Sequence, residues 1–396
     1  MDKRLPHFIE VGQLDLNTLI KLYREADKIE EMFKNIDGRA LLIEILKGRV
    51  LVNLFWQQSS RTRNSFAVAA QRLGASINQE VGIEKEVKDN DKTKKSWTLV
   101  YSSEAKGESF DDTIRTFSAL SYDALIMRYF EEGWVKRASE IMDNFEYGVP
   151  VINAGDGKGE HPTQALLDLR TILKRYNIDL SSDGSKLRNI SIAFIGDMNG
   201  RTIHSVSLLL AKFGTKMIFI SREALRLPEN FKKRLDNLGV SYKEQEHLDS
   251  TDVWYVTRDQ KEYRSGEYAG EYYVIDKKNL ERYKPDIILH PFPRNEEIPM
   301  WSYDDPFTWE ISVDKEPQAA YFEQMRHGLF VRAALLKYTL APNIEFTDLW
   351  DRRLRDSFIK QCAVCSRVES KLMGWSEKIL PLTKLPKVVC PRCQIN

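Results

Sequence analysis

Cysteine is nearly missing from this sequence: all four stand in the last 35 of 396 residues, at Cys362, Cys365, Cys390 and Cys393. A secreted disulfide scaffold would spread its cysteines through the chain, so the reading is a cytoplasmic protein with one local cysteine device. Long apolar runs are lacking too. Nowhere do ~18 uncharged apolar residues follow one another, so no membrane span is expected. The opening Met-Asp-Lys-Arg-Leu-Pro lacks an apolar stretch of signal-peptide length. Charge of one sign is not in excess either, with 59 basic and 58 acidic residues and a net charge of +1. A nucleic-acid binder usually shows a clear basic surplus, so general affinity for phosphate polymers is not indicated. No short-period repeat of solenoid type occurs.

What remains is ordinary soluble-protein composition, 42% hydrophobic and 30% charged, in a chain long enough for two or three domains. Apolar positions at Leu16, Leu19, Ile20, Tyr23 and Ala26 have helical spacing. Short apolar runs of buried-strand type follow at 49–55, 123–127, 149–153, 190–195, 216–220, 253–256 and 286–289, separated by helical stretches. Repeated strand–helix alternation predicts an α/β protein with two doubly wound parallel-sheet domains. The divisions are 1–158, completed by a helix at about 317–342, then 159–316, then a small module over 343–396. The charged segment 84–95 reads as a solvated loop. Residues 345–396 carry ten basic and six acidic residues, short apolar runs and every cysteine.

Three loops carry the polar chemistry. Ser59-Ser60-Arg61-Thr62-Arg63 stands where a strand ends and a helix begins, and backbone N–H groups at a helix start favour an anion. Two hydroxyls and a guanidinium fork add directed donors suited to phosphate. An N-cap flanked by surface arginines is the alternative, and local chemistry does not separate the two. Arg128 directly follows Ala-Leu-Ile-Met at a strand's carboxyl end, where ligands of α/β proteins bind; a surface ion pair is the alternative. His161-Pro-Thr-Gln164 follows a glycine-rich turn and precedes an apolar helix start, placing an imidazole and an amide at a third strand–helix junction; a structural histidine is the alternative.

Ser-Ser-Arg-Thr-Arg-Asn-Ser-Phe, Lys106-Gly-Glu-Ser, Met-Arg128 and His-Pro-Thr-Gln, in this order, resemble the signatures of the aspartate/ornithine carbamoyltransferase family over about residues 5–342. The resemblance implies that Ser59, Ser60, Arg61 and Thr62 hold the phosphate of carbamoyl phosphate. It implies that Thr62, Arg128 and His161 donate to the carbonyl oxygen and that Gln164 holds the carbamoyl NH2 end. Ser102 and Lys106 would reach into a neighbouring subunit's site, which implies a homotrimer with shared active sites. The family's usual second loop residue is Thr, where Ser60 keeps the hydroxyl; Ala105 stands where a second lysine is common.

Val256-Thr-Arg258-Asp-Gln260 resembles the motif of the aspartate enzymes, and Gly200-Arg201 supplies a second guanidinium. His290-Pro-Phe-Pro-Arg294 resembles the aspartate-type His-Pro-Leu-Pro-Arg, with Phe292 and Pro293 in the pocket wall; the ornithine type carries a cysteine where Pro291 stands. Two fixed cations, Arg201 and Arg258, favour a dicarboxylate over a cationic acceptor. The implied activity is carbamoyl transfer to aspartate by direct amine attack with oxyanion stabilisation, in pyrimidine biosynthesis. No serine has an evident His–Asp relay, and the chemistry needs no catalytic cofactor. Transfer to another acidic amine, and a non-catalytic scaffold that kept the fold, are the competing readings.

Cys362-Ala-Val-Cys365 and Cys390-Pro-Arg-Cys393 are two C-x2-C knuckles separated by 24 residues, the pattern of a four-thiolate structural zinc site. The tail resembles the zinc domain that some relatives carry on a separate regulatory chain, which leaves its own trimer, a regulatory partner chain or RNA as candidate contacts.

Overall fold

The computed structural model describes residues 6–89, 92–100, 103–259 and 273–349, and short strands at 360–361, 368–369, 376–379 and 386–389. The chain opens with α1 (Leu16–Phe33) and α2 (Ile36–Leu42), then alternates: β1 (Val50–Phe55), α3 (Ser60–Arg72), β2 (Ser76–Asp89), β3 (Lys92–Leu99), α4 (Phe110–Ala119), β4 (Ala124–Tyr129), α5 (Trp134–Asn144), β5 (Val151–Asp156) and α6 (Pro162–Arg175). A second series follows: β6 (Ser191–Ile195), α7 (Arg201–Ala211), β7 (Lys216–Ile220), α8 (Glu229–Asn237), β8 (Tyr242–Gln245), β9 (Val253–Val256), α9 (Lys277–Tyr283), β10 (Ile287–Leu289), α10 (Phe307–Ile311) and α11 (Tyr321–Leu340). In the tail, β11 (Lys360–Gln361) pairs with β12 (Val368–Glu369) and β13 (Ser376–Ile379) with β14 (Pro386–Val389), both antiparallel. No described helix is long and apolar enough to cross a membrane.

Two five-stranded sheets result, in the orders β3-β2-β1-β4-β5 and β10-β9-β6-β7-β8. The second is parallel throughout, and the first is parallel except for the antiparallel edge pair β2–β3. Covered on both faces, the inner strands read as mainly apolar runs, as in Leu51-Val-Asn-Leu-Phe55, every residue of which is buried and only Asn53 polar. β1 lies between β2 and β4, and β6 between β7 and β9, so the strand order reverses beside each. Ligands of α/β sheets bind at the carboxyl ends of strands at such reversals. The helices that leave β1 and β6 are α3 and α7.

The segment 84–95 departs from the expected solvated loop. Its described residues, 84–89 and 92–95, lie in two antiparallel strands, with Glu84 opposite Trp97, Glu86 opposite Lys95 and Asp89 opposite Lys92. A charge-rich stretch looks solvated when read singly, but the register sets two of its acidic positions, Glu86 and Asp89, opposite lysines. Because α11 crosses back from the second sheet to pack on α1, α3 and α6, it ties the two halves together.

Candidate active site

A cavity of about 570 Å³ opens where the carboxyl ends of the two sheets meet. Three helices begin on it: α3 after the N-cap Ser59, α6 after His161 and α7 after Gly200, none with a side-chain cap. Their first turns and macrodipoles add positive potential at one place. The Ser59 hydroxyl, not spent on capping, is left to the cavity it lines. Asn53 on β1 fixes the start of α3 by donating to the Arg63 carbonyl at 3.2 Å and to Gln79 Oε1 at 3.0 Å.

The structure brings Ser59, Ser60, Arg61, Thr62, Arg128, His161, Gln164, Arg201, Arg258, Phe292 and Pro293 together around this cavity. Lys106 ends a 3-10 turn over Ser103–Lys106, is exposed, and is not in this lining. Ser102, Gln260 and the four cysteines lie outside the described residues.

Arg128 and Arg201 both reach main-chain carbonyls at the cavity. Arg201, at the first position of α7, is buried and donates to the Gly157 carbonyl at 2.9 Å and to Gln57 Oε1 at 2.7 Å. Arg128 donates to the Ala154 carbonyl at 3.3 Å. Both guanidiniums lie on the backbone of Gly155, whose φ is +126° and where a Cβ would sit 2.8 Å from Arg128 Nη1. Only glycine suits that position. Arg258 donates to the Asp259 carbonyl at 2.8 Å. Burial, and then the nearby Arg258 cation, pull the Arg61 guanidinium below its ordinary value. Cations gathered in one cleft favour an occupant that carries several negative charges.

His161 is buried, with Nε2 3.4 Å from Thr62 Oγ1. Burial first, and then Arg128, Arg201 and Arg332, hold its imidazole well below the usual histidine range. It is therefore neutral at pH 7, and its Nε2–H tautomer can donate beside Thr62 without adding a charge. Phe292 has a φ of +56°, an uncommon conformation for a side-chain-bearing residue, and its N–H donates to His290 Nδ1 at 2.9 Å. The Phe292 ring lies beneath the Arg61 guanidinium, 5.9 Å from centroid to Cζ.

Two family models match the chain: the carbamoyl-phosphate-binding domain of aspartate/ornithine carbamoyltransferases over residues 6–174, and the Asp/Orn-binding domain over 188–339. The chain belongs to this family. Among carbamoyltransferase relatives, the chloroplastic aspartate carbamoyltransferase of Arabidopsis thaliana is 39% identical over 349 residues, 85% of this chain and 78% of that protein. The aspartate carbamoyltransferase catalytic subunit of Aliivibrio fischeri is 35% identical over 84% of this chain and 96% of its own length. Of solved carbamoyltransferase structures, the catalytic subunit of M. jannaschii aspartate transcarbamoylase superposes with a TM-score of 0.66 at 34% identity, covering 86% of this chain and 99% of that one. The Trypanosoma cruzi enzyme in complex with carbamoyl phosphate and aspartate gives 0.64 at 31% identity, covering 85% and 96%.

Some cavity residues were not singled out in the sequence. Gln57 holds Arg201, and Arg332 donates to Ser65 Oγ at 2.6 Å while lining the floor. Arg332 did carry a signal, since it interrupts the apolar stretch of α11, and the structure buries it. A cation is buried at such a cost only when it has partners or work.

Proposed function

We propose that this protein joins carbamoyl phosphate to the amino group of L-aspartate, giving N-carbamoyl-L-aspartate and phosphate. The observation that carries the reading is the convergence, in one cavity, of the uncapped start of α3 with Arg201, Arg258 and the 290–293 loop of the second half. The first group suits a phosphate and the second a dicarboxylate. Both line one cavity.

In this scheme the deprotonated aspartate amine attacks the carbamoyl carbon, the new C–N bond forms, and charge gathers on the carbonyl oxygen. Thr62, Arg128 and neutral His161 donate to that oxygen. The C–O bond to phosphate then breaks, and the departing phosphate takes the electron pair and the amine proton. Holding both reactants lowers the entropic barrier, and a pre-set oxyanion donor typically contributes ~3 kcal/mol. Ser59, Ser60, Arg61 and Thr62 hold the phosphate; Arg201, Arg258, Gln260, Phe292 and Pro293 shape the aspartate side.

Three further elements belong to this reading. The domain division is 1–158 with 317–342, 159–316, and 343–396. Ser102 and Lys106 act in a neighbouring subunit's site within a homotrimer, a view favoured by the exposure of Lys106 away from its own chain's cavity. Cys362, Cys365, Cys390 and Cys393 hold one structural zinc. Four thiolates in two knuckles match tetrahedral zinc, and β11 and β14 each run directly into the first cysteine of a knuckle. Among the described residues no cluster of three or more His, Cys, Asp or Glu could hold a metal.

The deciding experiment is an assay of carbamoyl-aspartate formation by the purified protein, with ornithine as a parallel acceptor and Arg61→Ala as control. Product from aspartate alone, abolished by Arg61→Ala, establishes the activity. No product from either acceptor, with a folded protein, overturns it.

A further inference from the structure

Asp168 is fully buried on α6, between Leu167 and Leu169, one helical turn after Gln164. Three side chains from three elements meet its carboxylate. Gln164 Nε2 donates to Oδ1 at 2.8 Å, Gln324 Nε2 of α11 donates to the same oxygen at 2.6 Å, and the Tyr255 hydroxyl of β9 donates to Oδ2 at 2.8 Å. A protonated carboxyl would have to turn one oxygen into a donor facing a donor. The ionised form alone accepts all three.

This fixes the direction of two amides. With its nitrogen spent on Asp168, Gln164 presents its oxygen toward the cavity it lines, where it can accept from an NH2 group. Gln324 is turned in the same way, so its Oε1 accepts the backbone N–H of His290 at 2.9 Å. His290 heads the loop that carries Phe292 and Pro293. One carboxylate thus sets the amide at the carbamoyl end and the anchor of the loop at the aspartate end.

We propose that Asp168 is a positioning residue that locks the Gln164 amide oxygen-first toward the carbamoyl group and couples it to the 290–293 loop. The inference rests on the carbamoyl-transfer reading and deepens it. The charged and titratable groups facing Asp168 are Tyr255, Arg332 on α11, and Tyr23 on α1. Burial raises the Asp168 carboxyl to about 7, against the pull of its three donors and of Arg332. The competent, ionised form is therefore lost as pH falls through about 7, and with it the fixed direction of Gln164.

The test compares Asp168→Asn and Tyr255→Phe with wild type, reading KM for carbamoyl phosphate, kcat, the pH profile of kcat/KM, and thermal stability. Asparagine offers one acceptor and brings a donor against donors, so Gln164 is freed to turn. KM for carbamoyl phosphate should then rise roughly tenfold or more, the size of one charge-assisted hydrogen bond, and the acidic limb near the neutral range should vanish. Tyr255→Phe removes one donor from the ionised form, so its acidic limb should move to higher pH, with a smaller rise in KM. An unchanged KM in folded Asp168→Asn, or an unmoved limb in Tyr255→Phe, overturns the proposal. If Asp168→Asn does not fold, the Tyr255→Phe limb decides alone. Wild type that makes no carbamoyl-aspartate defeats the functional reading instead. Calorimetric binding of carbamoyl phosphate to wild type and Tyr255→Phe across pH then judges Asp168 separately, with equal affinity at every pH counting against it.

Discussion

The Arg201 guanidinium, on the helix that leaves the second sheet, donates at 2.7 Å to Gln57, on the loop that leaves the first. Its other terminal nitrogen donates to the Gly157 carbonyl at 2.9 Å. A flexible arginine held at two points is already oriented before a carboxylate arrives, and less entropy is lost on binding. Gln57→Ala should therefore raise KM for aspartate roughly tenfold, the value of one hydrogen bond to a charged group, and change KM for carbamoyl phosphate far less. Gln57→Glu should weaken aspartate binding further, because a carboxylate there competes with the substrate for Arg201. Steady-state kinetics with each substrate varied checks both; equal aspartate KM values across the three proteins would show that Gln57 is a bystander.

Much of this arrangement was legible in the sequence, for physical reasons. Parallel strands buried on both faces are mainly apolar runs, and seven such runs are strands. Strand–helix junctions favour anions, and Ser59–Thr62, Arg128 and His161–Gln164, singled out that way, all have residues lining the cavity. The antiparallel pair of β2 and β3 was missed because its cross-strand pairs of acidic and basic positions form only in register. Polar β8 was missed because Tyr242-Lys-Glu-Gln at a sheet edge carries no apolar period. Gln57 and Asp168 were missed for another reason: their work is done on other side chains, and only the folded chain brings Gln57 to Arg201 or Asp168 to Gln324.

Lys106 provides a test of assembly. Its exposure and its absence from its own chain's cavity fit a residue that serves a neighbour. Lys106→Ala and Arg61→Ala should each be nearly inactive alone. Mixed trimers, made by dissociating and reassembling the two variants together, should regain activity. In a random equal mixture about a quarter of the shared sites draw both intact residues, since each site in a cyclic trimer takes one from each of two neighbours. Mixtures that stay as inactive as their parents would place Lys106 outside the site.

Phe292 stands where the aspartate-type motif has leucine. Its ring lies 5.9 Å from the Arg61 guanidinium and packs at 5.4 Å on Phe322. An arginine–aromatic contact at a partly open site is worth about 0.5–1 kcal/mol. Phe292→Leu should change kcat/KM for aspartate only about two- to fivefold, and ornithine should remain a non-substrate because Arg201 and Arg258 stay in place. Parallel assays with aspartate, glutamate and ornithine decide this. A switch of acceptor in the variant would make Phe292, rather than the arginines, the selector.

The two cysteine knuckles predict about one zinc per chain, bound through thiolates. Metal analysis of the purified protein should give that ratio. Cys362→Ser together with Cys390→Ser should abolish it, since two thiolates do not hold structural zinc. Carbamoyl transfer by the purified protein should survive the double substitution, because the family models that describe the catalytic body end at residue 339. Full zinc content in the double variant would assign the metal to other ligands.

A last prediction concerns acid stability and turns on His327, which is buried with Nδ1 2.9 Å from Thr171 Oγ1. Burial, and then the Arg170 cation, lower its imidazole from 6.5 to about 4. In the unfolded chain the same group titrates at its ordinary value. Below that value the unfolded state binds a proton that the native state refuses, so the stability His327 contributes is full above pH 6.5 and is lost as pH falls toward 4. The wild-type curve alone does not isolate this, because Asp168 and Asp156, raised to about 7 and about 6, favour the native state on acidification. The readout is the difference between wild type and His327→Gln, in which the opposing carboxyls cancel. Between pH 7.5 and 5 that difference should narrow by about 2 kcal/mol, the linkage equivalent of the unfolded histidine's titration over that interval. Chemical denaturation at both pH values measures it. A difference independent of pH would mean that native His327 accepts its proton as readily as the unfolded chain does, through the carboxylates of Glu30 and Asp27 beside it.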